Sequence, residues 1–163
     1  MPLDAEWDAI AHGASLIALA TGTRDGTMQS IVDHLWDALH PRGVSWIGFY
    51  EVDPTGAPQL ILGARRDKPA CSPIGLHGAC GQCLLGGNAL VVRDVRELGP
   101  NYIACDPLDR SEIVVPCLRS DGSAWGVLDA DSHAVGTFSD ADAEGLRAVL
   151  EAAKLSAPRP QAR

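Results

Sequence analysis

Two apolar segments, 111–119 and 123–131, are separated only by Ser120-Asp121-Gly122. A short turn of this kind between two β-prone runs closes a hairpin, so the fold must contain an antiparallel sheet. The rest of the chain fits around that hairpin. Residues 3–20 carry Trp7, Ile10, Ala14, Ile17 and Ala18 at helical spacing. Residues 26–40 carry Met28, Ile31, Val32, Leu35, Trp36 and Leu39 in the same way, and Pro41 with Gly43 ends that helix. Further strands are expected at 44–52, 58–63 and 89–93, and a short helix from Cys80 to Gly86-Gly87. A last helix starts at the N-cap Ser139 and buries Leu146, Val149, Leu150 and Ala153. Residues 64–79 and 94–110 are expected to be long loops, which in a compact domain tend to carry function. The order implies an α+β domain over residues 1–155, an antiparallel sheet flanked by helices. Residues 156–163, Ser-Ala-Pro-Arg-Pro-Gln-Ala-Arg, read as a disordered basic tail.

A formal net charge of -8 excludes a strong electrostatic footprint for nucleic acid or for an anionic membrane surface. No segment approaches the roughly 20 apolar residues needed to cross a bilayer. The first residues, Met1-Pro2-Leu3-Asp4-Ala5-Glu6-Trp7, are acidic and lack the basic start of a signal peptide, so a cytoplasmic protein is expected. In that reducing compartment the five cysteines, Cys71, Cys80, Cys83, Cys105 and Cys117, suggest redox chemistry or metal binding more than structural staples.

Several side chains could carry chemistry. Strict alternation from 123 to 131 puts Trp125, Val127, Asp129 and Asp131 on one face. The two carboxylates either face water at the strand end or repel one another across a site that holds a cation or a proton. The hairpin brings Glu112, at the start of one strand, toward the end of the other. Cys105 lies on the loop leading to the same sheet end, as a small buried hydrophobe or as a nucleophile. Cys80 opens a short helix, where the backbone N–H groups favour a thiolate. Cys80-Gly81-Gln82-Cys83 is a C-x-x-C, a dithiol pair or, with Cys71 and His77, a zinc site of no standard spacing; no metal is expected. Asp129-Ala130-Asp131-Ser132-His133 is not a calcium loop, since Ala134 stands where glycine is needed. Alternation in 44–52 places Trp46, Gly48 and Tyr50 on one face, opposite Ile47 and Phe49. The two rings are core residues or the aromatic wall of a pocket. His12, His34 and His40 read as surface residues.

Certain blocks follow in order: Ser45-Trp46-Ile-Gly-Phe-Tyr50, Lys68-Pro-Ala-Cys71, Gly78-Ala-Cys80-Gly81, Asp94-Val95, Tyr102-Ile-Ala-Cys105-Asp106, Ser111-Glu112-Ile-Val-Val-Pro116 and Gly126-Val-Leu-Asp129-Ala-Asp131-Ser132. They resemble the free methionine-(R)-sulfoxide reductases. The resemblance implies a GAF fold with a six-stranded antiparallel sheet. It also implies Cys105 as nucleophile, Cys71 as principal resolving cysteine and Cys80 as a third redox cysteine. By the same resemblance Glu112, Asp129 and Asp131 hold the substrate, Trp46 and Tyr50 line its pocket, and no cofactor is needed. Free methionine sulfoxide as substrate, thioredoxin as reductant and a homodimer are implied too. Cys83 and Cys117 receive no role. The family's Gly-Pro-Phe-Gln-Gly is replaced by Gly63-Ala64-Arg65-Arg66-Asp67, and the stretch from Cys71 to Cys80 is one residue shorter. The rival expectations are a non-catalytic GAF module that binds a small ligand and a thiol redox sensor.

Overall fold

The computed structural model describes residues 3–159. The first two residues and 160–163, half of the expected tail, lie outside the described residues. The chain forms helix α1 (Leu3–Ala20), helix α2 (Arg24–Leu39) and strands β1 (Val44–Val52), β2 (Gln59–Arg66) and β3 (Ile74–Gly75). Helix α3 (Ala79–Gly86), strands β4 (Leu90–Val92), β5 (Ser111–Leu118) and β6 (Ala124–Ser132), and helix α4 (Asp140–Ala152) follow. All six strands form one antiparallel sheet in the order β3-β2-β1-β6-β5-β4. The fold is therefore α+β, as expected.

Helices α1, α2 and α4 cover one face. Their apolar stripes, including Trp7, Ile31, Leu35, Leu146 and Leu150, pack on Ile47, Phe49, Ile113 and Leu128 from the sheet. Ser139 caps α4 in a reciprocal capping box with Asp142, which satisfies the first backbone donors of the helix. Thr23 caps α2 by accepting from Gly26 N–H. Among the described residues the opposite face carries α3, a 3-10 helix over Val95–Asn101 and the loops, and the cavity lies there. Gly81 makes the seating of α3 tight, because a Cβ at that position would run into the Leu76 backbone.

Three sequence expectations change. The expected 64–79 loop is shorter: β2 runs on to Arg66, and Ile74–Gly75 pair with Gln59 and Leu60 as the sixth strand. Two residues give no periodicity to read. Trp125 does not share a face with Asp129. A bulge lets Cys117 pair with Gly126 and Leu118 with Ala124, leaving Trp125 as the extra residue. Its ring turns to the helical side, stacks on Phe49 and donates from Nε1 to the Leu155 carbonyl at 2.9 Å. The expected tail also begins too early. Ser156 is buried, its hydroxyl accepts from Leu118 N–H, and Ala157 N–H donates to the Leu118 carbonyl.

Candidate active site

The hairpin β5–β6 brings Glu112 directly opposite Asp131, and Val114 opposite Asp129. Because residues two apart share a face, all three carboxylates project to the side that lacks the helical layer. Strand β1 pairs with β6 from the other side, Trp46 against Asp131 and Tyr50 against Val127. The two rings lie 6.1 Å apart and wall the same space. Gly48 between them makes room, since a Cβ there would strike the Trp46 indole. Helix α3 closes the floor with Cys80.

The result is a cavity of about 40 Å³ lined by Trp46, Tyr50, Cys80, Cys105, Glu112, Asp129 and Asp131, all expected from the sequence. Cys71 reaches it through a disulfide to Cys105, with the two Cα atoms 5.5 Å apart. The loop that bears Cys71 is tied down at several points. Tyr50 Oη donates to the Cys71 carbonyl at 2.7 Å, and Trp46 Nε1 donates to the Lys68 carbonyl at 2.8 Å. Leu62 N–H donates to Ser72 Oγ, and Lys68 Nζ donates to Asp106 Oδ2 at 2.8 Å, joining the Cys71 segment to the Cys105 segment. The polar tips of both aromatic side chains therefore serve the loop, which no sequence pattern indicated.

The electrostatics are dominated by buried carboxyl groups. Burial raises Glu112 to about 7, against a stabilising hydrogen bond from Asp129. Asp129 is pushed well up by burial and by the neighbouring charges of Asp131 and Glu112, and its Oδ1 has no hydrogen-bond partner. Asp131 is pushed up for the same two reasons. A cluster so arranged holds protons near neutrality and can donate one. Tyr50, raised by burial and by Asp129, stays a neutral donor.

Cys80 departs from expectation. The thiolate expected at the start of a helix is disfavoured, because burial and the charges of Asp129, Glu112 and Asp131 drive its thiol well up. A short helix end supplies roughly 0.3–1 kcal/mol, too little to offset burial beside three carboxyl groups. The residues weighed as an alternative zinc set are dispersed: Cys71 is bonded to Cys105, Cys83 is buried and His77 is exposed. Two other groups, Cys80 with Glu112 and Asp129, and Asp106 with Asp109 and His133, bring three ligand atoms within 4.8 Å of one another. Cys117 is buried on the helical side, remote from the cavity. His12 and His40 are exposed, whereas His34 is half-buried and bonds the Ile10 carbonyl.

Six lining residues were not among the expected site residues: Ala70, Ile74, Ala79, Tyr102, Ile103 and Asp109. Tyr102 and Ile103 stood beside Cys105 in a quoted block, so proximity was the available signal. Asp109 gave none, since an acidic residue in a polar loop reads as solvated. It is 8% exposed, its Oδ1 has no hydrogen-bond partner, and burial with the charge of Asp106 raises it to about 6.

The GAF domain model matches residues 23–156. The free methionine-R-sulfoxide reductase of Saccharomyces cerevisiae is 36% identical over 118 residues, covering 72% of this chain and 64% of that protein. Matches to the curated relatives span 62 to 65% of their length, just under two thirds. The structure of the free methionine-R-sulfoxide reductase from Neisseria meningitidis, solved in complex with its substrate, superposes with a TM-score of 0.80 at 33% identity, covering 92% of this chain and 89% of that one. A Burkholderia vietnamiensis protein described as a GAF sensor superposes with a TM-score of 0.85 at 30% identity, covering 96% of each chain.

Proposed function

The chain belongs to the GAF domain family, and from that premise we propose that it is a thiol-dependent oxidoreductase that reduces free L-methionine-(R)-sulfoxide to methionine. The observation that carries this reading is the Cys71–Cys105 disulfide, whose Cys105 lines a pocket together with carboxyl groups that hold protons near neutrality. Sulfoxide reduction by thiols needs these two things: a sulfur nucleophile with a partner to oxidise, and an acid to protonate the departing oxygen.

The reaction runs in two steps. The substrate's ammonium group faces the carboxylates, and one acid among Glu112, Asp129 and Asp131 donates its proton to the sulfoxide oxygen. The Cys105 thiol attacks the sulfoxide sulfur, and its proton returns to the carboxylate cluster. The substrate's S–O bond breaks as the oxygen passes to Cys105, the transient bond between the two sulfurs breaks as methionine leaves, and Cys105 is a sulfenic acid. The Cys71 thiol then attacks that sulfur, the S–S bond forms, and the hydroxyl leaves as water with the Cys71 proton. The two thiols are oxidised by two electrons and the sulfoxide is reduced by two. A dithiol such as thioredoxin reopens the disulfide by exchange. Cys80, as a buried thiol beside Asp129, is a reserve redox cysteine. No metal or organic cofactor enters this scheme. Cytoplasmic location and a homodimer belong to the same reading.

With the disulfide closed, about 40 Å³ leaves room for a few waters and not for an amino acid. The disulfide form is therefore the state after chemistry, and reduction frees the loop for the next substrate. Methionine release from the free sulfoxide, with dithiothreitol or thioredoxin as reductant, tests the proposal. A GAF module that binds a ligand or senses oxidation releases no methionine.

A further inference from the structure

We propose that Asp109 is a further substrate-binding residue, whose carboxylate pairs with the ammonium group of a free amino acid in the pocket and is positioned for it by His133. The inference rests on the reading of the pocket as a methionine sulfoxide site and deepens it.

Asp109 lines the cavity, is 8% exposed, and has an Oδ1 without a hydrogen-bond partner among the described residues. A buried carboxylate oxygen left unpaired is costly, and such groups in a folded protein mark the place of a missing partner. The main chain of the residue is held in place. Its own N–H donates to the Asp106 carbonyl, and the next N–H, of Arg110, donates to the Ser132 carbonyl at 2.8 Å. On the outer side a row of alternating charge fixes it. His133 Nε2 lies 3.7 Å from the same Asp109 Oδ1, within reach of its charge but beyond hydrogen-bond distance, so the hydrogen-bonding place on that oxygen stays unfilled; it lies 3.2 Å from Asp106 Oδ2, and Asp106 takes Lys68 Nζ at 2.8 Å.

The groups facing Asp109 divide the labour in the pocket. Glu112, Asp131 and Tyr102 all lie close enough to be raised by its charge. Burial and the charge of Asp106 raise Asp109 to about 6, while His133 and Lys68 pull it back toward the ionised form. The deeper carboxyl groups hold protons for the sulfoxide oxygen. Asp109 is the member that His133 holds toward the ionised form an ammonium ion requires. A substrate whose amine is blocked loses this partner, so the site selects free amino acids.

The test measures kcat and KM of the wild type, Asp109→Asn and His133→Gln on free methionine-(R)-sulfoxide and on its N-acetyl derivative. Asp109→Asn is expected to raise KM for the free substrate at least about tenfold, with kcat changed less than about threefold. It should leave the N-acetyl derivative unaffected, so the preference between the two collapses. His133→Gln, a substitution at an exposed position, should raise KM less and move the acidic limb of kcat/KM to higher pH, because Asp109 loses a neighbour that keeps it ionised. An unchanged KM in Asp109→Asn of wild-type melting temperature, equal losses on both substrates, or an unmoved acidic limb in His133→Gln overturns the assignment. A wild type that releases no methionine overturns the activity on which it rests.

Discussion

The Tyr50 hydroxyl donates a 2.7 Å hydrogen bond to the carbonyl of Cys71, so the aromatic wall of the pocket grips the segment that bears one half of the disulfide. The same side chain thus lines the cavity and sets the position of the resolving thiol. Tyr50→Phe keeps the ring and removes the bond, a change worth about 1 kcal/mol. The Cys105 sulfenic acid should live several times longer in this variant, read as increased trapping by dimedone during turnover, with little change in KM. Equal trapping in the two proteins would separate the hydroxyl from the resolving step.

Glu112 titrates at about 7 in the folded protein, above the ordinary glutamate value, because it is buried. A raised carboxyl makes folding most favourable where it is protonated in both states, below its unfolded value. That contribution is lost as pH rises through the folded value. Between about pH 4.5 and 7 the loss is on the order of 3 kcal/mol for such a shift. Glu112→Gln, which mimics the protonated group, should therefore melt above the wild type at pH 8 and approach it near pH 4.5. Wild-type turnover should decline above pH 7 as the cluster gives up its proton. Parallel melting curves across this range would show that Glu112 is not buried as described.

Trp125 stands on the helical side of the sheet, away from the pocket. Trp125→Phe removes the Nε1 bond to the Leu155 carbonyl and should cost about 1–2 kcal/mol in a denaturant melt. KM and kcat should stay at wild-type values. A change in KM without a change in stability would return Trp125 to the pocket face that unbroken alternation assigns it.

That reversal shows where the sequence was legible and where it was not. Helices and long strands were readable because burial imposes a period, 3.6 or 2, over many residues, as in 26–40 and 111–119. A bulge changes the phase by a single residue and leaves no mark in composition, so Trp125 was assigned to the wrong face. Strand β3 was too short to carry a period. The carboxylates Glu112, Asp129 and Asp131 were findable because hairpin geometry alone brings them to one end. Asp109 was not, because its burial comes from loops packing over it. The environment of Cys80 was missed because its helix was visible in the sequence, whereas the charges across the cavity depend on tertiary packing.

The closed disulfide leaves too little room for an amino acid in the pocket. Calorimetry with free methionine should therefore show binding to the dithiothreitol-reduced protein and at least about tenfold weaker binding to the oxidised one. Equal affinities would mean that the Cys71 loop does not gate the site.

The most direct measurement is methionine release from free methionine-(R)-sulfoxide with dithiothreitol or thioredoxin as reductant, run beside Cys105→Ser. Release by the wild type and none by the variant is the predicted result. No release by a folded, fully reduced wild type, or undiminished release by Cys105→Ser, would contradict the assignment of this pocket as a sulfoxide reductase site.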